Sequence, residues 1–169
     1  MISKEALLES MLHEIKVSQH LATKIPVGGL SYKPTPAQRD TLETMKFLSL
    51  CATGIVHYVL EGNWDWWQKR SEETSFTDAD QFIKAMDITS QELTQLVNGI
   101  SHEDFTHKEV EMPWGVSVTI GRAIMDCALK WLVGYRMQLF LYAKAAGASE
   151  IGTKDCWHGI DEPKAKQAS

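Results

Sequence analysis

Among the residues of this chain able to ligate a metal or attack a substrate are six histidines and three cysteines. An imidazole binds metal or moves a proton and a thiolate attacks or ligates, but each needs partners at a fixed spacing. His13 and His20 are seven residues apart in a helical segment. That places them on a similar face but ~10 Å apart along the axis, too far to share one ion. His57 stands alone, and His102 and His107 flank a polar loop, so these read as surface or hydrogen-bonded histidines. The cysteines are odd in number and have no C-x-x-C spacing, which fits reduced thiols better than a disulfide framework. In Asp155-Cys156-Trp157-His158-Gly159 a thiol and an imidazole lie close in sequence but lack the third group that would orient them. There is no glycine-rich phosphate loop, nucleophile elbow or Glu-x-x-His helix pair. Trp64, Trp66 and Trp67 could anchor a ligand or partner, although the expected role for one or two of them is to plug the end of the fold.

The elements that must position these side chains are helical. Leu7, Leu8, Met11, Leu12, Ile15 and Leu21 recur at three- and four-residue steps and predict a first helix near 3–24. Pro26, Pro34 and Pro36 with Gly28 and Gly29 make the next segment an extended connection. A second helix is predicted near 40–61, with Gly62-Asn63 as its stop and Gly54 as a position of close packing. Residues 64–75 read as a polar, aromatic link that crosses over an end of the bundle, and Thr77 with Asp80 as the start of a third helix near 77–100. Val110 to Val118, centred on Pro-Trp-Gly, predicts a small β-hairpin. Thr119 opens a last helix near 119–146, stopped by Gly147, and 148–169 read as loop and a frayed Lys/Ala/Gln tail. The expected fold is therefore all-α: a single domain over 1–169, built as a four-helix bundle with a long crossover between helices two and three and a small hairpin before helix four.

Composition sets the outer limits. With 17 Lys+Arg against 22 Asp+Glu the net charge is −5, which disfavours a broad nucleic-acid footprint. At 44% hydrophobic and 23% charged, 169 residues can bury a core without metal staples or disulfides. The apolar run Phe47–Leu60 is interrupted by Ser49, Thr53, Gly54 and His57 and falls short of the ~20 residues of a membrane span. The first residues lack a basic region followed by an apolar one, so a cytoplasmic protein is expected.

Two stretches carry a family resemblance: Leu30-Ser-Tyr-Lys-Pro-Thr-Pro-Ala-Gln-Arg39 leading into Leu42-Glu-Thr-Met-Lys-Phe-Leu48, and Trp131-Leu-Val-Gly-Tyr-Arg-Met-Gln-Leu139. They resemble the DinB-like superfamily of four-helix bundles, which includes thiol-dependent S-transferases and mycothiol-dependent maleylpyruvate isomerases. In metal-binding relatives the second helix offers one histidine, and the last offers two, four residues apart, just before an Arg-x-Gln. Arg136 and Gln138 match that ending, while Phe47, Trp131 and Tyr135 stand where the resemblance places the ligands. A phenyl ring and an indole do not ligate a divalent ion, and a neutral phenol is a poor substitute. The resemblance thus implies a degenerate metal site, with no metal and no cofactor expected.

Cys127, Trp131 and Tyr135 are successive i+4 positions, and Cys51 stands four residues beyond Phe47, so both thiols are expected to face the same pocket. The candidate ligand-pocket residues are Phe47, Cys51, Cys127, Trp131, Tyr135, Arg136 and Gln138, with no catalytic residue assigned. The expected function is metal-free binding of a small apolar ligand, or a protein-interaction role. The alternative is a thiol-dependent transferase-like or metal-dependent enzyme with an altered pocket. A homodimer is expected, because members of the resembling superfamily commonly pair through long helices.

Overall fold

The computed structural model describes residues 2–161. Helix α1, Lys4–Ala22, starts at Ser3, whose hydroxyl accepts the Ala6 N–H at 3.1 Å. Helix α2, Thr41–Glu61, opens with a capping box in which Asp40 accepts the Glu43 N–H and Glu43 accepts the Asp40 N–H. It ends at Gly62, whose φ of 74° needs a residue without a Cβ. Helix α3 is Asp65–Glu73 and α4 is Ala79–Gly99, the latter capped by Asp78 on the Gln81 N–H at 2.8 Å. Helix α5, His102–His107, leads into strand β1, Glu109–Glu111, which pairs antiparallel with β2, Ser117–Thr119, with Val110 opposite Val118. The last long helix runs over 120–145 in three pieces: α6, Ile120–Ala123, a π-helical stretch, Ile124–Leu129, and α7, Lys130–Ala145. Helix α8 is Thr153–His158.

Helices α1 and α2 each pack against both α4 and α7, so the four long helices enclose one core. Leu7, Met11 and Ile15 of α1 meet Met45, Leu48 and Ile55 of α2, Phe82, Met86 and Leu93 of α4, and Leu132 and Leu139 of α7 in that core. The molecule is mostly helical with a small two-stranded sheet, and no described helix is long and apolar enough to cross a membrane.

Five local expectations are corrected. The link 64–75 is mostly helix: α3 has no fully buried side chain, so it lacks the full apolar stripe by which a helix is read from sequence. The third long helix is capped by Asp78 and not Thr77, and Thr119 holds the N-cap position of α6 without a side-chain cap bond. The segment after Gly147 contains α8, with Asp155 and Cys156 buried, and His102 and His107 bound a short helix where a loop was expected. The expected frayed Lys/Ala/Gln tail lies outside the described residues.

Candidate ligand-binding site

Phe47 projects from α2 into a group of rings supplied by α3 and α7. Its centroid lies 4.3 Å from Tyr135, 5.9 Å from Trp131 and 5.5 Å from Trp67. Trp67 meets Trp131 at 6.4 Å with the ring planes 86° apart, an edge-on geometry favoured by the quadrupoles of the rings. Gly54 makes room for this arrangement, because a Cβ there would stand 2.2 Å from Trp67 Cε3. The expected close packing at Gly54 is therefore packing against an indole. Arg39, just before α2, stacks its guanidinium 4.5 Å from the Phe47 centroid and donates from Nη1 to the Tyr135 hydroxyl at 3.2 Å. Beside these rings lies a recess of about 310 Å³ lined by Arg39, Glu43, Lys46, Phe47, Trp67 and Ser71 among others.

This group can stack a planar apolar molecule and meet a polar edge with Arg39 or Lys46. Phe47 and Trp131 carry no ligating atom, and the Tyr135 oxygen already accepts from Arg39, so a divalent ion does not fit among them.

The remaining predicted pocket residues go to different places. Cys51 is enclosed on α2 with its Sγ 3.7 Å from the Leu48 carbonyl, and burial pushes its pKa up to about 12. Cys127 is buried in the π-helical stretch, against which α2 packs; burial, and secondarily Asp126, push its pKa up. Both thiols belong to the core cluster and are poor nucleophiles there. Arg136 is fully buried and points toward α1 and α8: Nε donates to Glu14 Oε2 at 2.7 Å and Nη1 to Cys156 Sγ at 3.2 Å. The Trp157 ring lies 4.5 Å from the Arg136 guanidinium carbon. Gln138 donates to the Tyr142 hydroxyl at 2.6 Å, and Tyr142 meets Tyr32 edge-on. The structure thus brings Phe47, Trp131 and Tyr135 together and takes Arg136 away from them.

No family model matches the chain. An uncharacterised protein of Bacillus subtilis, YjoA, is 26% identical over 153 residues, 89% of this chain and 96% of the relative. The crystal structure of YjoA, described as a DinB-like protein, superposes with a TM-score of 0.67 at 21% identity, covering 83% of this chain and 92% of that one. The fold is DinB-like. On this DinB-like frame, sequence reasoning missed Arg39, whose only signal was a cation one position before a helix cap. It also missed the contribution of Trp67 to the α2–α7 rings, since a tryptophan in an apparent link has no readable face. A further group lies nearer the C-terminal end of α2, where His57 stacks on Trp66 at 4.7 Å. Its two ring nitrogens face Glu61 at 2.6 Å and Glu92 at 3.2 Å, and Trp66 Nε1 donates to the same Glu92 oxygen at 2.9 Å. Only the i,i+4 partner Glu61 was within reach of sequence reading.

Proposed function

We propose that this DinB-like chain binds a small planar apolar ligand without a metal at the α2–α7 position, using the ring group of Phe47, Trp67, Trp131 and Tyr135. The carrying observation is that Phe47 of α2 and Trp67 of α3, with Arg39 stacked on Phe47, line an open recess of about 310 Å³, while Trp131 and Tyr135 of α7 pack against these two rings. That volume is near the lower limit for ligand pockets of ~300–1,000 Å³, so the fitting molecule has one or two rings. The enzymatic alternative, a thiol-dependent transferase-like or metal-dependent reaction in an altered pocket, has less support: Cys51 and Cys127 are enclosed and their pKa values are raised.

A second ligand reading rests on a separate observation. A mostly apolar groove of about 500 Å³ is lined by Ile2, Phe105, Val118, Gly121, Arg122 and Met125, where α5, β2 and the start of the last long helix meet. Titration with indole and benzoate, followed by tryptophan fluorescence and amide chemical shifts, separates the two sites. Saturable shifts at Phe47, Trp67 and Tyr135 that vanish in Trp67→Leu are expected. Equal binding by Trp67→Leu, or shifts confined to Phe105–Met125, would move the function to the groove.

A further inference from the structure

The tertiary fold brings three ligand-bearing side chains together at the junction of α1 with the C-terminal segment. His20 on α1 places Nε2 2.7 Å from Asp155 Oδ1 and 3.8 Å from Asp161 Oδ1, and the three ligand atoms all lie within 4.8 Å of one another. We infer that His20, Asp155 and Asp161 form a divalent-cation site that fastens α8 to α1.

One imidazole nitrogen faces two carboxylates, and at most one proton can lie on that nitrogen, so two acceptors compete for one donor. In the tautomer that carries its proton on Nδ1, a nitrogen lone pair and two carboxylate oxygens converge on one point. Bonds of ~2.0–2.2 Å to a tetrahedral ion put ligand atoms ~3.3 Å apart. The observed 2.7 and 3.8 Å bracket that separation, so small side-chain adjustments complete the site. One nitrogen and two oxygens suit a borderline ion such as Zn²⁺ or Co²⁺, whereas Mg²⁺ and Ca²⁺ prefer oxygen alone. Three protein ligands leave at least one position for water.

Asp155 is 2% exposed, and its other oxygen, Oδ2, accepts the Gly152 N–H at 3.0 Å, which orients Oδ1 toward His20 as a metal ligand's outer contacts do. Two carboxylates held this close repel each other; the Lys24 ammonium, 2.5 Å from Asp161 Oδ1, offsets part of that repulsion from the outer side. Lys24 therefore competes with the ion for Asp161. The six-residue α8 cannot hold helical structure alone and depends on its contacts with α1, including the His13 Nε2–Trp157 carbonyl bond at 2.8 Å. A cation joining residues 20, 155 and 161 adds one link within α8 and one just after it.

The test uses the full chain stripped with chelator and titrated with Zn²⁺ alone by calorimetry, then with Co²⁺ by visible absorption. One equivalent of Zn²⁺ is expected, and Co²⁺ should show no thiolate charge-transfer band. Asp161 is exposed, so Asp161→Asn should fold normally; it is expected to weaken binding by at least ~10-fold, the smallest effect seen even for outer contacts of metal ligands. Lys24→Gln, which removes a stabilising ion pair if the cluster holds no metal, is expected to bind Zn²⁺ more tightly than the parent. The inference is overturned by an absence of saturable binding, by undiminished affinity in Asp161→Asn, by weaker or unchanged affinity in Lys24→Gln, or by a Co²⁺–thiolate band that assigns the ion to a cysteine.

Discussion

Glutamate 14 and Arg136 show how much one residue pair can control. The guanidinium is fully buried, and its Nη2 has no hydrogen-bond partner among the described residues, so its charge is balanced chiefly by Glu14 at 2.7 Å. Removing one member of a buried pair leaves an uncompensated charge, at ~3–5 kcal/mol. Glu14→Gln should therefore lower stability by about that amount in urea denaturation, while Arg136→Met combined with Glu14→Leu should recover most of it. The thiol of Cys51 makes a second prediction. Its folded pKa of about 12 lies above the ordinary 9.0, so the unfolded chain loses that proton first. Stability from this group is intact below pH 9 and is lost as pH rises through the folded value. A pH series of denaturation midpoints should show that alkaline decline, and Cys51→Ala should flatten it; an unchanged slope in the variant would assign the decline to other groups.

At the element scale the decisive contact is α3 on α2. Gly54→Ala would place a methyl against the Trp67 ring, an overpacking expected to cost ~1–3 kcal/mol. Trp67→Leu should remove most of that penalty, and the double variant should be less destabilised than the sum of the singles. Additive effects in denaturation would mean that Trp67 does not rest on Gly54. The capping box of α2 joins Asp40 to Glu43, and Asp40→Ala should cost ~1 kcal/mol in the same assay. Helix α3 itself was not readable, because its stability comes from Trp67 packing in a space that another helix leaves open. The π-helical stretch 124–129 was also hidden: it changes the turn length within an apolar run, and a 3.6-residue pattern carries no signal for that.

For the whole molecule, the expected homodimer remains a proposal with a direct measurement. Light scattering should give about twice the 19.0 kDa chain mass, and a value equal to the chain mass over a wide concentration range would remove it. The long helices and hairpin were legible because apolar periodicity, turn residues and glycine stops are local properties of the chain. Leu7, Met11 and Ile15 reveal one buried face, and Gly62 ends α2 wherever its partners lie. The meeting of Phe47 with Trp131 and Tyr135 was legible only through the family resemblance.

The sequence by itself determined a helical chain with its glycine stops and a small hairpin, and only the family resemblance added an aromatic set at the α2–α7 position. Tertiary structure alone decided that Arg136 leaves that position for Glu14 and Cys156, that Trp67 enters it over Gly54, and that His20 meets residues 155 and 161. The physical reason is separation along the chain. Backbone hydrogen bonds, caps and one-sided burial act over a few residues and leave a periodic trace. An arginine's choice between two faces of the core, or the convergence of an imidazole with carboxylates more than a hundred positions away, depends on packing among helices whose registry is set by the fold as a whole.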